Sequence, residues 1–170
     1  MSRTILLTAF QFILIAIFQI FVLSNLNILS FCNPMIYVWF IILLPTSTPK
    51  WIVVLLSFIM GYTIDVFSGQ SGINALSLTF IGVIRGGFIS LFFADKDTQS
   101  NLRPSIKDMG FTNFLIFVSI IVVIHHTIYF MVEAFSFSEF FFILLRIVLS
   151  SIASIFLILF FDFLFFKTKR

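Results

Sequence analysis

The chain has 170 residues, of which 61% are hydrophobic and 10% charged, with a net charge of +3. A soluble domain carries about a quarter charged residues, so this composition excludes a water-facing globule and points to a bilayer as the solvent. The length suits one membrane bundle over 1–170 and leaves no room for a separate soluble domain. Cys32 is the single cysteine, which excludes an internal disulfide and a cysteine-rich zinc cluster.

A crossing helix needs about 20 apolar residues, and six apolar runs follow one another along the chain. The first, 5–24, contains Gln11 and Gln19 and lacks a small-residue cleavage site, so it reads as a retained helix. The second, 34–45, is bounded by Asn33-Pro34 and Leu44-Pro45 and is about half a crossing long. By length it is re-entrant, interrupted, or extended upstream through Ile28 to Phe31. The third and fourth runs are 51–67 and 73–93. A polar loop, 94–110, holds Asp95, Lys96, Asp97, Arg103, Lys107 and Asp108. The fifth and sixth runs are 111–135 and 140–166. The predicted class is an all-α polytopic bundle of about six transmembrane helices.

Basic residues set the expected orientation. With the N-terminus inside, Arg3, Lys50, Lys96, Arg103, Lys107, Lys167, Lys169 and Arg170 are all cytoplasmic. The outer loops near Asn25, Ser68-Gly69-Gln70 and Ser136 then carry no Lys or Arg. Omitting the second run would break this pattern, so it is a true crossing or a hairpin with the third. Both termini and the 94–110 loop are expected on the cytoplasmic face.

Ionisable groups inside apolar runs mark pathways, pairs or partner contacts. Asp65, His125, His126, Glu133 and Arg146 are expected at the outer side and Arg85 at mid-depth. Arg146 pairs with Asp65 or Glu133, or else snorkels to the interface. Arg85 stands between Gly82 and Gly86, a small-xxx-small pair that admits a second helix. It is expected to meet an internal carboxylate or another protein, unless it is simply packed and hydrated. Ser150, Ala153 and Ser154 form a similar small face. Gly61 and Asp65 share a helix face, and Gly69 and Gly72 suit a tight turn before Asn74. Adjacent histidines point about 100° apart on a helix and do not make a metal site. There is no phosphate loop, GxSxG or HExxH. The expectation is no enzymatic activity, no cofactor, no metal and no nucleic-acid partner.

The stretch Asn33-Pro34-Met35-Ile36-Tyr37-Val38, then Leu43-Leu44-Pro45, then Gly61-x-x-x-Asp65-x-Phe67, then Gly72-Ile73-Asn74-Ala75 resembles the rod shape-determining protein MreD family, in its Bacteroidetes-like form. The resemblance covers most of the chain and is densest from Gln19 to Arg85. It implies a non-enzymatic inner-membrane scaffold of the cell-elongation machinery. That scaffold would bind an MreC-like single-pass partner and, through it, MreB and the glycan polymerase and transpeptidase of the sidewall. It also implies a fold similar to transporter S components, which does not settle function. The expected partner-contacting or buried polar residues are Gly61, Asp65, Gly72, Asn74, Gly82, Arg85, Gly86 and Arg146, with Gly82, Arg85 and Gly86 as one docking face. A competing reading is an S-component-like subunit that binds a small solute or vitamin, with Tyr37, Trp39, Asn74, His125 and Arg146 around an outward pocket. A generic small transporter or holin-like protein is a third, and the absence of repeat symmetry argues against the transporter.

Overall fold

The computed structural model describes residues 2–24, 32–92, 102–135 and 140–165, with the backbone alone for 2–4. All regular structure in these residues is helical. Helix α1 (Ser2–Phe18) runs on into a π-helical turn (Gln19–Leu23). The others are α2 (Tyr37–Leu43), α3 (Lys50–Ser68), α4 (Ile73–Phe92), α5 (Ile106–Met109), α6 (Phe111–Ala134) and α7 (Phe140–Phe165). Lys96, Lys167, Lys169, Arg170, the Arg3 side chain, and the loops at Asn25 and Ser136 lie outside the described residues.

Five helices are long and apolar enough to cross a membrane: α1 with its π turn, α3, α4, α6 and α7. Their outward side chains are apolar. Phe10, Trp51, Phe67, Phe141 and Phe163 are all more than half exposed. Their inward faces carry Gln19, Ser57, Asp65, Asn74, Arg85, His125, His126, Ser154 and Asp162, all buried. Apolar outside with polar groups gathered inside is the distribution expected when the solvent is hydrocarbon. The chain is a multi-pass membrane protein.

The second run takes the interrupted form among those its length allowed. Of the predicted 34–45 crossing, α2 supplies seven helical residues, and 32–35 is not helical. This segment sits in the middle of the bundle. Every α2 residue is at most 3% exposed. Gln19 meets it near Pro34 and Ile36, and Phe12 meets Phe40, so it runs antiparallel to α1. Ser150 and Ser154 meet Asn33 and Met35, and Phe161 meets Trp39, so it runs parallel to α7. Extended residues advance about 3.3 Å each and helical ones about 1.5 Å. Stretch 32–35 followed by one and a half to two helical turns therefore reaches about 25 Å, close to the hydrocarbon thickness of about 30 Å. Pro45 ends α2, with Leu44 driven to ψ 138° as the residue before a proline.

Helices α3 and α4 form the tightest pair. A Cβ at Gly61 would lie 2.5 Å from Ala75 Cα and 2.6 Å from Asn74 O. Only a glycine admits the start of α4 so near α3. The turn between them uses Gly69 at φ 66° and Gly72 at φ 86°, the left-handed region that side chains disfavour. Gly61→Ala is expected to destabilise by about 1–3 kcal/mol, because the obstructing atoms are backbone. Gly86→Ala should stay within about 0.5 kcal/mol, since its Cβ would meet the flexible Lys50 Cε at 3.5 Å. Thermal unfolding of both variants in detergent tests this, and equal effects would refute the close-approach account.

Candidate functional site

Non-helical backbone inside a membrane needs partners for its N–H and C=O groups. Side chains of the surrounding helices supply them. Ser150 Oγ accepts from Asn33 N at 2.9 Å, and Ser154 Oγ accepts from Met35 N at 2.8 Å. These serines are one helical turn apart, about 6 Å. Alternate residues of an extended chain are about 6.6 Å apart, so the two spacings match. On the other side, Gln19 Nε2 donates to Pro34 O at 3.2 Å and its Oε1 accepts from Ile36 N at 2.8 Å. The π turn that begins at Gln19 belongs to this clamp, consistent with π turns marking sites where a helix departs from regularity for a purpose. The small face expected on α7 thus contributes its hydroxyls as well as its size.

Two polar chains leave the central segment. Asn74 Oδ1 accepts from Tyr37 Oη at 2.6 Å, and His125 Nε2 lies 3.2 Å from the same hydroxyl. Asn74 Nδ2 donates to Asp65 Oδ1 at 2.9 Å. Asp65 also accepts from Asn74 N at 3.1 Å and from Ala75 N at 2.8 Å. A buried carboxylate on α3 therefore caps the first turn of α4, where the helix dipole favours negative charge. In the second chain, His126 Nδ1 lies 2.9 Å from Val122 O and Nε2 lies 3.1 Å from Ser154 Oγ. Donation from Nδ1–H to Val122 and from the Ser154 hydroxyl to Nε2 satisfies both, and leaves Ser154 Oγ to accept from Met35. The two histidine rings serve different networks. Among the described residues no group of three His, Cys, Asp or Glu is placed to hold a metal.

Two expectations about charges change, and one of the two partners offered for Arg146 is taken up. Among the described residues Arg85 meets no carboxylate. It is 3% exposed, and its Nη2 donates to the carbonyls of Leu44 and Ile42 at the end of α2. A cation at a helix C-terminus is favourable, and the carbonyls freed by the stop at Pro45 need donors. Gly82 is turned inward against α3, where a Cβ would lie 2.4 Å from Ser57 Oγ. Gly82, Arg85 and Gly86 therefore do not make one outward docking face: Gly82 and Arg85 are occupied inside the chain. Arg146 pairs with Glu133 at 2.7 Å, with its guanidinium 4.5 Å from the Phe130 ring centre. Asp65 is not its partner, because three N–H groups already hold that carboxylate.

The motif residues converge. Asn33, Pro34, Tyr37 and Pro45 shape the central segment, and Gly61, Asp65, Gly72 and Asn74 build the turn that holds it. Sequence reasoning did not single out Asp162, which is fully buried in α7 and accepts from Ile106 N at 2.9 Å. An acid within the sixth apolar run was the available signal. It ties α5 to the bundle, and Thr46 N→Leu102 O and Arg103 Nη1→Gln11 Oε1 tie the same stretch to α1 and the α2–α3 connection.

Two cavities open on this core. A polar one of about 250 Å³ lies at the end bearing the α3–α4 turn, and Tyr37, Asn74, Tyr129, Glu133 and Arg146 line it with Cys32. Of the residues expected around an outward pocket, Tyr37, Asn74 and Arg146 are there. His125 lies behind Tyr37, and Trp39 faces Phe161 and Phe165 instead. An apolar cleft of about 560 Å³ separates α1 from α3 and is floored by Phe40, Leu44 and Pro45. Helix α1 is the least enclosed of the five long helices.

Fold and site define a polytopic α-helical membrane bundle built around a buried central segment that is helical only in part. No protein-family model, curated protein or solved structure matches this chain.

Proposed function

We propose that this protein is a non-enzymatic scaffold of the bacterial cell-elongation machinery, of the MreD kind, in the cytoplasmic membrane with both termini inside. One observation carries the reading. The residues of the MreD-like motif, scattered from Asn33 to Asn74, assemble into a single device that seats the central crossing. The partner is a single-pass protein of the MreC kind, linking indirectly to MreB and to the sidewall glycan polymerase and transpeptidase. Its transmembrane helix docks in the cleft between α1 and α3. With Gly61 and Gly82 occupied internally, that cleft is where a foreign helix reaches the central segment. Helices in lipid associate through close packing rather than hydrophobicity, and Thr8, Ala9 and Thr48 keep its walls low.

Gentle solubilisation from the native membrane tests the proposal. A single-pass coiled-coil protein together with cell-wall synthases should co-purify, and Ala9→Trp should weaken that association while insertion continues. A second reading, a solute-binding transport subunit, draws on the polar cavity. Recovery of an ATPase pair with another membrane subunit would establish it and sink the scaffold.

Orientation has its own test. With the N-terminus inside, the polar cavity faces outward, and Cys32 lines it. An impermeant thiol reagent should modify Cys32 in intact spheroplasts. Modification solely after lysis would invert the topology.

A further inference from the structure

We propose that the polar cavity binds a small zwitterion, with its anionic group on Arg146 and its ammonium on Glu133. The reading does not depend on whether the chain is a scaffold or a transport subunit.

The cavity is formed by residues from the π turn of α1, the central segment, α3, α4, α6 and α7. In a bundle whose outer surface is apolar, polar side chains from several elements converging on one cavity mark a binding site. Its back wall is rigid. Tyr37 and Asn74 are at most 3% exposed and already hold each other at 2.6 Å, so the wall is pre-organised for a ligand. At about 250 Å³ it falls just under the range of about 300–1,000 Å³ usual for drug-sized ligands. That size suits an amino acid or a headgroup.

Charge selects the class. The charged residues lining the cavity are Glu133 and Arg146, and they are paired at 2.7 Å. The site is therefore neutral overall. A ligand with a net charge would leave one member of this partly buried pair without its counter-charge. A zwitterion replaces the internal pair with two equivalent pairs. Arg146 is ready for this exchange. Its ring contact with Phe130 holds the guanidinium plane, and its Nε–H has no acceptor among the described residues. A carboxylate or phosphate fits that planar fork in bidentate fashion. Free amino acids and the headgroup of phosphatidylethanolamine share this chemistry, and the cavity lies at the bundle end, within reach of both.

The single cysteine makes the test direct, since Cys32 lines the cavity. The full chain is placed in nanodiscs of phosphatidylglycerol, and Cys32 modification by a neutral methanethiosulfonate is timed. Serine is the free probe, with acetate and ethylamine as singly charged controls. Parallel discs contain phosphatidylethanolamine. At ten times its dissociation constant a ligand should slow modification about tenfold. Slowing by serine identifies a soluble ligand, and slowing in phosphatidylethanolamine alone identifies the lipid headgroup. Glu133→Gln, a near-isosteric change, should abolish either effect, as should Arg146→Gln. The proposal is overturned if neither source slows modification, if acetate or ethylamine protects as well as serine, or if Glu133→Gln retains the protection.

Discussion

Asp65→Ala should produce the largest loss of stability of any single substitution considered, about 3–5 kcal/mol. The carboxylate accepts from Asn74 N, Asn74 Nδ2 and Ala75 N, and it is 2% exposed. Alanine leaves two backbone donors of the first turn of α4 without partners in a buried site. Each such orphan costs about 1–3 kcal/mol, and Asn74 also loses what orients it toward Tyr37. Asp65→Asn keeps one acceptor but turns an amide NH₂ toward a backbone N–H, so an intermediate loss is expected. In thermal unfolding of the full chain in detergent, 3 kcal/mol corresponds to roughly 6–12 °C for a chain of this size. A melting temperature within a degree of wild type for Asp65→Ala would show that the carboxylate does not hold the start of α4.

The second prediction concerns Arg85→Leu, where two effects oppose each other. Removing the guanidinium frees the carbonyls of Leu44 and Ile42 at the end of α2, a loss of about 1–3 kcal/mol for each group left without a donor. It also removes a buried charge that has carbonyl dipoles but, among the described residues, no carboxylate to compensate it, and such burial costs several kcal/mol in itself. The dipoles of the α2 C-terminus recover part of that cost. The net expectation is a loss of about 2 kcal/mol, or roughly 4–8 °C, below the loss for Asp65→Ala. Arg85→Lys should fall between wild type and Leu, because a compact ammonium does not reach both carbonyls with the fork of a guanidinium. Hydrogen exchange localises the effect: the amides of α2 should exchange faster in Arg85→Leu while those of α6 do not. Uniform acceleration across both helices would refute a local capping role.

These expectations differ from those the residues suggest in isolation. Beside Gly82 and Gly86, Arg85 looks like part of a docking face. Its burial against α2 makes it a brace for the central segment, and substitutions there test folding more than partner binding. A defect in partner association is better sought along α1, where Ala9 and Phe12 border the open cleft.

Hydropathy by itself determined that the protein lives in a membrane and where its five long helices run. Hydropathy sums over neighbouring residues, and the solvent acts on each stretch separately. The same logic picked out Asp65, Arg85, His125, His126, Glu133 and Arg146 as groups needing internal partners, and applied to α7 it would have included Asp162. Which partners they take was decided by tertiary structure alone. Arg146 chooses Glu133 because α4 has already engaged Asp65 with three N–H groups. Arg85 finds carbonyls because Pro45 stops α2 beside it. The central segment was the least legible element, since its non-helical backbone is satisfied by Gln19, Ser150 and Ser154, residues 15 to 119 positions away. No local period records such contacts. Donors and acceptors compete for one another across the whole bundle, and the winner is known when the helices are in place.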